Sequence, residues 1–246
     1  MKLLVISDIH ANWPALRAIQ EEADAVVCLG DMVSYGPFPR ECVAWVRDHA
    51  KYVVRGNHDT ALSRRIDAGA AAFKRELALA TLTHHRRSLT RDEVAWLDGL
   101  PPELRFRLDD YSFHAMHASP ADHLFSYRLT PDLADEELKK EVEAVRADLL
   151  LVGHTHLPMS RGAWTKVILN PGSVGQPLDG DPRASYAVIR DGVAEIRRAA
   201  YDIEATVTGI RGMGLANEIT EALITILVTG KPWTGLASGE GAKTIA

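Results

Sequence analysis

Short apolar runs alternate with amphipathic stretches through the first sixty residues of the chain. Three segments are nearly continuous aliphatic runs, as buried strands are: 2–7, 25–29 and 52–55. The stretches 13–22 and 39–49 between them have apolar residues at helical spacing. This order predicts a β–α–β–α–β unit, with a parallel sheet covered by helices.

The pattern changes after residue 60. Residues 60–98 are helical in character throughout, and Thr90 with Glu93 forms a capping-box signature, so we expect a helical cap over the sheet edge. Alternating and apolar runs predict six further strands, at 104–108, 111–116, 149–152, 167–169, 185–190 and 193–198. A charged helix is predicted at 131–147 and two more helices near the C-terminus. Residues 1–232 are predicted to form a single domain, and the Gly-, Ser- and Ala-rich stretch 233–246 a flexible tail.

Composition excludes several classes of protein. The 246 residues, 46% hydrophobic and 25% charged, are those of an ordinary globular domain with a sizeable core. A net charge of -5 argues against an extended nucleic-acid surface or binding to anionic membranes. Cys28 and Cys42 lie in apolar runs and are predicted to be small core residues. Met1 leads directly into a strand, and no apolar run approaches the roughly 18 residues of a membrane span, so we expect a cytoplasmic protein.

Residues that bind metals well follow five of the predicted strands. They are Asp8 and His10, Asp31, Asn57 with His58 and Asp59, His117, and His154 with His156. In α/β folds, ligands collect at the carboxyl ends of the strands, so we expect these side chains to converge. Carboxylate, imidazole and amide donors together favour Mn, Fe, Ni or Zn over Ca or Mg.

The number of donors predicts two metal ions. One ion uses about four to six ligands, which is fewer than this set provides. Two ions that share a bridging carboxylate account for the number, whereas a mononuclear metal-binding regulator leaves several donors unexplained. Two adjacent ions can hold a hydroxide and polarise a phosphoryl oxygen, which is the chemistry of phosphoester hydrolysis.

In this order, the motifs resemble the signature of the calcineurin-like metallophosphoesterase superfamily. The matching motifs are Asp8-x-His10, Gly30-Asp31, Gly56-Asn57-His58-Asp59, His117 and Gly153-His154-x-His156. The turn at 170–173 resembles one found in the small bacterial and archaeal phosphodiesterases of that superfamily. The resemblance runs from residue 1 to about 190 and implies an α/β (α+β sandwich) fold. Two packed β-sheets flanked by helices would form four layers, with the metals at the apex.

The resemblance also implies a role for each residue. Asp8, His10 and His156 would bind the first metal; Asn57, His117 and His154 would bind the second; Asp31 would bridge them. His58 matches the catalytic histidine of the superfamily, which is not a ligand and stabilises the transition state or protonates the leaving group. Asp59 would either orient His58 through a hydrogen bond or cap a helix. Ala118 follows His117 where many members have glycine, which leaves the ligand intact.

Other histidines and one tyrosine are further candidates. His114 competes with His117 as a ligand, but strand alternation places His117 at the loop boundary. His84 and His85 are expected on a solvated helix face. Tyr35 and His123 are expected to line the substrate cleft, although Tyr35 could instead pack a turn.

The sequence therefore predicts a dinuclear metallophosphoesterase, and a phosphodiesterase in particular. A bridging hydroxide would attack a small phosphoester, such as a nucleotide, opposite the leaving alkoxide that His58 assists. Phosphomonoesterase or dinucleoside-polyphosphate hydrolase activity is the alternative, because the core chemistry is shared. A non-catalytic interaction module on the same fold is opposed by the intact ligand set and His58. A homo-oligomer is compatible with the chain.

Overall fold

A computed structural model describes residues 1–234 as two five-stranded β-sheets packed between helices. The strands are β1 (Lys2–Ile6), β2 (Ala25–Cys28), β3 (Tyr52–Val53), β4 (Glu103–Leu108), β5 (Tyr111–Met116), β6 (Leu149–Leu151), β7 (Met159–Ala163), β8 (Lys166–Asn170), β9 (Ala184–Arg190) and β10 (Val193–Ala199). The helices are α1 (Trp13–Arg17), α2 (Pro39–His49), α3 (Asn57–Arg64), α4 (Arg75–Ser88), α5 (Arg91–Gly99), α6 (Asp135–Val142), α7 (Ile203–Gly212) and α8 (Asn217–Thr229). A short 3-10 helix (Ala72–Lys74) precedes α4.

Each sheet contains three neighbouring parallel strands and two that pair antiparallel with their neighbours. The first has the strand order β10-β9-β1-β2-β3, in which β1, β2 and β3 run parallel. The second has the order β4-β5-β6-β8-β7, in which β5, β6 and β8 run parallel. The predicted β–α–β–α–β unit is confirmed, and the carboxyl ends of the parallel strands of each sheet meet at one edge.

Three apolar cores define four layers. The inner faces of the sheets bury Leu3, Val5, Val27 and Leu29 against Phe113, Ala115, Leu149 and Leu151. The outer face of the first sheet is covered by α1, α2, α4, α7 and α8, and that of the second by α6. Full burial of each large aliphatic side chain contributes roughly 1.5–3 kcal/mol. The predicted architecture of two packed sheets flanked by helices is confirmed, and Cys28 and Cys42 are buried free thiols.

The first helix is shorter than its sequence pattern predicts. It ends at Arg17 instead of continuing to residue 22. The following segment lies against the sheet, where the Glu21 carboxylate pairs with Lys2 at 2.8 Å and Arg197 at 2.7 Å. These partners come from distant strands, so the helical periodicity of the segment could not reveal them.

The helical segment 60–98 and the predicted helix 131–147 also differ from expectation. Residues 65–71 are not helical, because α3 ends where Arg65 takes a left-handed backbone with φ +58°. The helix predicted at 131–147 is confined to Asp135–Val142. The edge strand β7 has little apolar alternation, so the sequence pattern does not predict it. The capping box of Thr90 and Glu93 is confirmed at the start of α5.

The structure describes only the first two residues, 233 and 234, of the predicted C-terminal tail. Residues 235–246 of that tail lie outside the described residues, and the single domain of residues 1–232 stays a prediction. Among residues 1–234, no helix has the length and hydropathy needed to cross a membrane.

Substitution of Gly30 tests whether its loop lies close to the loop of Gly56 at the sheet edge. Its φ is +94°, and a Cβ here would lie 2.4 Å from the backbone nitrogen of Gly56. We expect Gly30→Ala to lower the free energy of unfolding by about 3 kcal/mol, measured by urea denaturation, because strain and overpacking add. Gly99→Ala is the control, since a Cβ there meets nothing within 4 Å. Equal stability of the two variants would contradict the close approach.

Candidate metal centre

The side chains predicted to bind metal converge at the carboxyl ends of the strands. Asp8 and His10 follow β1, Asp31 follows β2, Asn57 begins α3, His117 follows β5, and His154 and His156 follow β6. All are buried, with no more than 3% of their surface exposed. The two packed sheets bring five separate loops to one apex, which is where the resemblance places the metals.

Five of these side chains are carried on left-handed backbone. Positive φ angles occur at Asp8 (53°), His10 (46°), Asp31 (56°), His154 (67°) and His156 (60°). Such conformations cost roughly 1–3 kcal/mol each for residues with a side chain and concentrate at functional sites. The surrounding structure therefore holds these loops in place against their local preference.

The ligand atoms form two clusters, each within 4.8 Å: Asp8 with His10 and His156, and Asp31 with His117 and His154. In the first, His156 Nε2 lies 3.0 Å from His10 Nε2 and 3.4 Å from Asp8 Oδ1. Asp31 Oδ2 lies 3.3 Å from His117 Nε2 in the second cluster and 3.8 Å from His10 Nε2 in the first. Asp31 is therefore placed between the two clusters.

Asn57 adds an amide oxygen to the second cluster. Its Oδ1 lies 2.9 Å from His117 Nε2 and 3.1 Å from His154 Nδ1. The two imidazole nitrogens are themselves 3.2 Å apart. Each cluster therefore combines imidazole nitrogen with oxygen donors, the mixture that suits a transition-metal ion.

Backbone carbonyls orient three of the histidines. Nδ1 of His10 donates to the carbonyl of Val33 at 2.9 Å, Nδ1 of His117 donates to that of Leu29 at 2.7 Å, and Nδ1 of His156 donates to that of Gln176. These bonds assign the proton to Nδ1 and leave the lone pair of Nε2 facing the cluster.

The cluster atoms fit bound cations. Facing lone pairs repel unless a cation lies between them, and His10 and His156 present theirs to each other. Among the described residues, Asp8 Oδ1 and His154 Nε2 are buried without a hydrogen-bond partner, and Asp8 Oδ1 is a free carboxylate donor of the first cluster. Buried polar atoms of this kind call for a partner such as a metal ion.

Burial and neighbouring charges set the protonation of the cluster. Burial lowers the pKa of His10 and His156 well below the ordinary value, which keeps them neutral and able to bind metal. Burial works against ionisation of Asp31, but His117 and His58 outweigh it and hold the pKa of Asp31 well below its usual range. In turn, Asp31 overcomes the effect of burial and raises the pKa of His117 to about 9, so His117 would release its Nε2 proton on binding a metal ion. Asp31 is thus the ionised carboxylate at the centre of the site.

His58 belongs to neither cluster. Its Nε2 lies 3.3 Å from the hydroxyl of Tyr35 and 4.0 Å from Asp31 Oδ2. Burial lowers the pKa of His58 to about 4, so the imidazole is neutral near pH 7. The Tyr35 ring lies 5.0 Å from that of His58 and 4.7 Å from that of His10, which puts Tyr35 at the edge of the site.

The predicted hydrogen bond from Asp59 to His58 is wrong. The Asp59 carboxylate instead accepts the backbone N–H groups of Asp31 at 2.8 Å, Met32 at 3.0 Å and Gly56 at 3.0 Å. Its bond to Gly56 is the capping alternative, made from the first turn of α3. The carboxylate therefore holds the loop of Asp31 and does not orient His58.

The expectation that His85 lies on a solvated face is also wrong, whereas His84 is half-buried. His85 is fully buried, bonded to the N–H of Ser34 at 3.1 Å and the carbonyl of Gly36 at 2.8 Å. Thr81 accepts the N–H of Tyr35 at 3.0 Å. Ala78, Thr81 and His85 are at helical spacing, which indicates that they share the buried face of α4. The basic residues next to His85 outweigh this signal in the sequence and lead to the prediction of a solvated face.

The choice of His117 over His114 is supported by their placement. His114 pairs with Glu103, on the paired strand β4, and belongs to neither cluster. The hydrogen bond from His114 is the largest effect lowering the pKa of Glu103, and the charge of His123 adds to it. His123 is thus near the His114–Glu103 pair, and its predicted contact with substrate stays a prediction.

Two residues that the sequence did not single out lie at the site. The Tyr127 ring is 4.0 Å from that of His154, and the buried Lys74 ammonium lies 4.9 Å from the centre of the Tyr35 ring. Tyr127 lies in an irregular segment, and Lys74 ends the short 3-10 helix within the segment predicted to be helical. No motif marks either position, so their place at the site depends entirely on the path of these segments.

Two mixed sheets between helices, with paired ligand clusters at their strand ends, define a protein of the metallophosphoesterase class. Residues 1–191 match the model of the calcineurin-like phosphoesterase superfamily domain. The chain belongs to this superfamily.

Individual relatives agree with this assignment. The chain is 32% identical to the uncharacterized protein MJ0912 of Methanocaldococcus jannaschii, over 82% of this chain and 88% of that protein. It is 26% identical to the phosphodiesterase YfcE of Escherichia coli, over 80% of this chain and 91% of the relative. The crystal structure of a metallophosphoesterase from Sphaerobacter thermophilus is similar with a TM-score of 0.75 and 32% identity, over 94% of this chain and 100% of that one.

Asp59→Ala tests whether this carboxylate holds the Asp31 loop. The change leaves three buried N–H groups unpaired, and we expect it to lower the free energy of unfolding by about 3 kcal/mol. Urea denaturation measures the loss, and Asp48→Ala on an exposed helix face is the control. Unchanged stability of Asp59→Ala would show that the three hydrogen bonds are unimportant.

Proposed function

We propose that this protein hydrolyses phosphoester bonds, and phosphodiesters in particular, at a dinuclear metal centre. The observation that carries the proposal is the arrangement of two adjacent ligand clusters, with Asp31 between them and His58 beside them but in neither. A metal-storage or structural site has no use for a buried histidine outside the ligand set. A phosphoesterase needs such a group near the leaving oxygen.

The two clusters divide the ligands between two ions. Asp8, His10 and His156 would hold one, and Asn57, His117 and His154 the other, while Asp31 would contact both. Bound divalent transition-metal ions would act as Lewis acids on the phosphoryl group and lower the pKa of a water nucleophile. Of Mn, Ni, Fe and Zn, we take manganese as the first ion to test.

His58 would act on the leaving group. Because burial keeps it neutral near pH 7, it would donate a hydrogen bond to the leaving-group oxygen as negative charge develops there. Its Nε2 is near the Tyr35 hydroxyl, which fixes the direction of the ring. Tyr35 would thus line the substrate site and position His58.

The relatives favour a phosphodiester. YfcE is described as a phosphodiesterase, and 80% of this chain aligns with it. A small phosphoester, such as a nucleotide, is therefore the substrate class we propose. A phosphomonoester is the alternative that the assay below distinguishes.

Asp31→Asn tests the dinuclear centre. The amide keeps the shape of the carboxylate but loses its negative charge, and we expect Asp31→Asn to bind less manganese than the wild type, which should bind one ion in each cluster. Elemental analysis of protein reconstituted after chelation measures the ratio, and Asp48→Asn is the control. Retention of the full metal content by Asp31→Asn would contradict a shared ligand.

His58→Ala tests catalysis. We expect kcat to fall by roughly 10²–10⁴, as for loss of a general acid–base group, with the manganese content unchanged because His58 is not a ligand. The assay compares bis-p-nitrophenyl phosphate with p-nitrophenyl phosphate, and His49→Ala, on an exposed position, is the control. If the wild type turns over neither substrate with Mn, Ni, Fe or Zn, the proposal that the protein is a phosphoesterase is refuted. Unchanged kcat in His58→Ala would refute the role of this histidine alone.

A further inference from the structure

Lys74 is a buried cation that the ligand set does not use. It ends the 3-10 helix just before α4, and only 4% of its surface is exposed. Its Nζ donates one hydrogen bond, to Oε1 of Gln176 at 3.2 Å, and lies over the Tyr35 ring at 4.9 Å.

The surroundings of Lys74 leave its charge without an anionic partner. An ammonium has three N–H donors, and Gln176 accepts one of them. Among residues 1–234, no carboxylate lies within 4.0 Å of Nζ, and the Tyr35 ring offsets the charge only in part. A buried charge is costly unless it is paired, so this position suits a bound anion.

The contacts of Lys74 direct it towards the first metal cluster. Tyr35, which lies under the ammonium, also contacts the rings of His10 and His58. Gln176, which accepts from the ammonium, accepts from Nδ1 of His156 through its backbone carbonyl. The two partners of Lys74 therefore both touch the cluster or His58. The charges of Asp8 and Asp31 act against the effect of burial and raise the pKa of Lys74, which favours its ammonium form.

We propose that the Lys74 ammonium binds a non-bridging oxygen of the substrate's phosphoryl group, on the side of the site that carries Tyr35 and His58. The inference rests on the proposed function and adds a protein cation to the two metal ions. The two remaining N–H donors can form charge-assisted hydrogen bonds to the anion, which are stronger than neutral ones. The segment before α4 then contributes directly to substrate binding.

A purely structural role makes a different prediction. If Lys74 only offsets the negative charge of Asp8 and Asp31, its removal would change metal binding and stability and leave the affinity for phosphate intact. If Lys74 binds the phosphoryl group, its removal weakens the binding of phosphate and leaves the metal content intact.

The experiment measures the affinity of inorganic phosphate for the manganese-loaded protein by isothermal titration calorimetry. The variant is Lys74→Met, which keeps the length of the side chain and removes its charge, and the control is Lys140→Met at an exposed position of α6. We expect Lys74→Met to weaken phosphate binding by about tenfold or more, the effect of one charge-assisted hydrogen bond. The control should bind phosphate as the wild type does, and both should keep the wild-type manganese content and thermal midpoint.

Three outcomes overturn the inference: no phosphate binding by the wild type, wild-type affinity in Lys74→Met, or a parallel loss of manganese. Lys74→Gln, which retains a polar group for Gln176, replaces Lys74→Met if the latter does not fold. If the protein turns over phosphoesters but Lys74→Met binds phosphate as tightly as the wild type, only the proposed role of Lys74 is refuted. Phosphate binding that depends on Lys74, without turnover of any phosphoester, would refute the proposed function alone.

Discussion

The buried carboxylate of Asp31 is the point on which the rest of the site depends. Its Oδ2 lies within 4.0 Å of His10, His58 and His117, and its Oδ1 accepts the backbone N–H of His58 at 2.9 Å. A carboxylate this deeply buried stays ionised because positive and polar groups surround it. The three imidazoles come from three different loops, so this one charge determines how the loops approach each other.

Backbone contacts make that approach possible. A Cβ on Gly56 would lie 2.0 Å from Asp31 Oδ1, and a Cβ on Gly153 would lie 2.0 Å from Ser7 Oγ, so glycine permits close packing at both positions. The Asp59 carboxylate then ties the Asp31 loop to the start of α3, because it accepts the backbone N–H groups of Asp31, Met32 and Gly56. Together these contacts hold several residues in left-handed backbone conformations that an isolated loop would not adopt. The parallel strands beneath them form the rigid part of the structure that carries the loops.

The helical segment beyond α3 does more than cover the sheet. Thr81 and His85 of α4 bind the backbone of the turn 34–36, which carries Tyr35. Tyr35 in turn contacts His58 and lies beneath Lys74. The segment thus reaches the site twice, by holding the turn of Tyr35 and by bringing in a buried cation.

The sequence by itself determined nine of the ten described strands, all but β7, and the order of the polar residues that converge at their ends. Apolar runs mark buried strands, and the short motifs follow them directly, so both signals are local; His58 was recognised in the same way. The partners of Asp59, the burial of His85 and the place of Lys74 were decided only by the tertiary structure. Lys74 and Gln176 are 102 positions apart, and nothing near either residue indicates the other. Contacts of this kind depend on how loops pass each other once the sheets have packed, and local periodicity carries no record of that path.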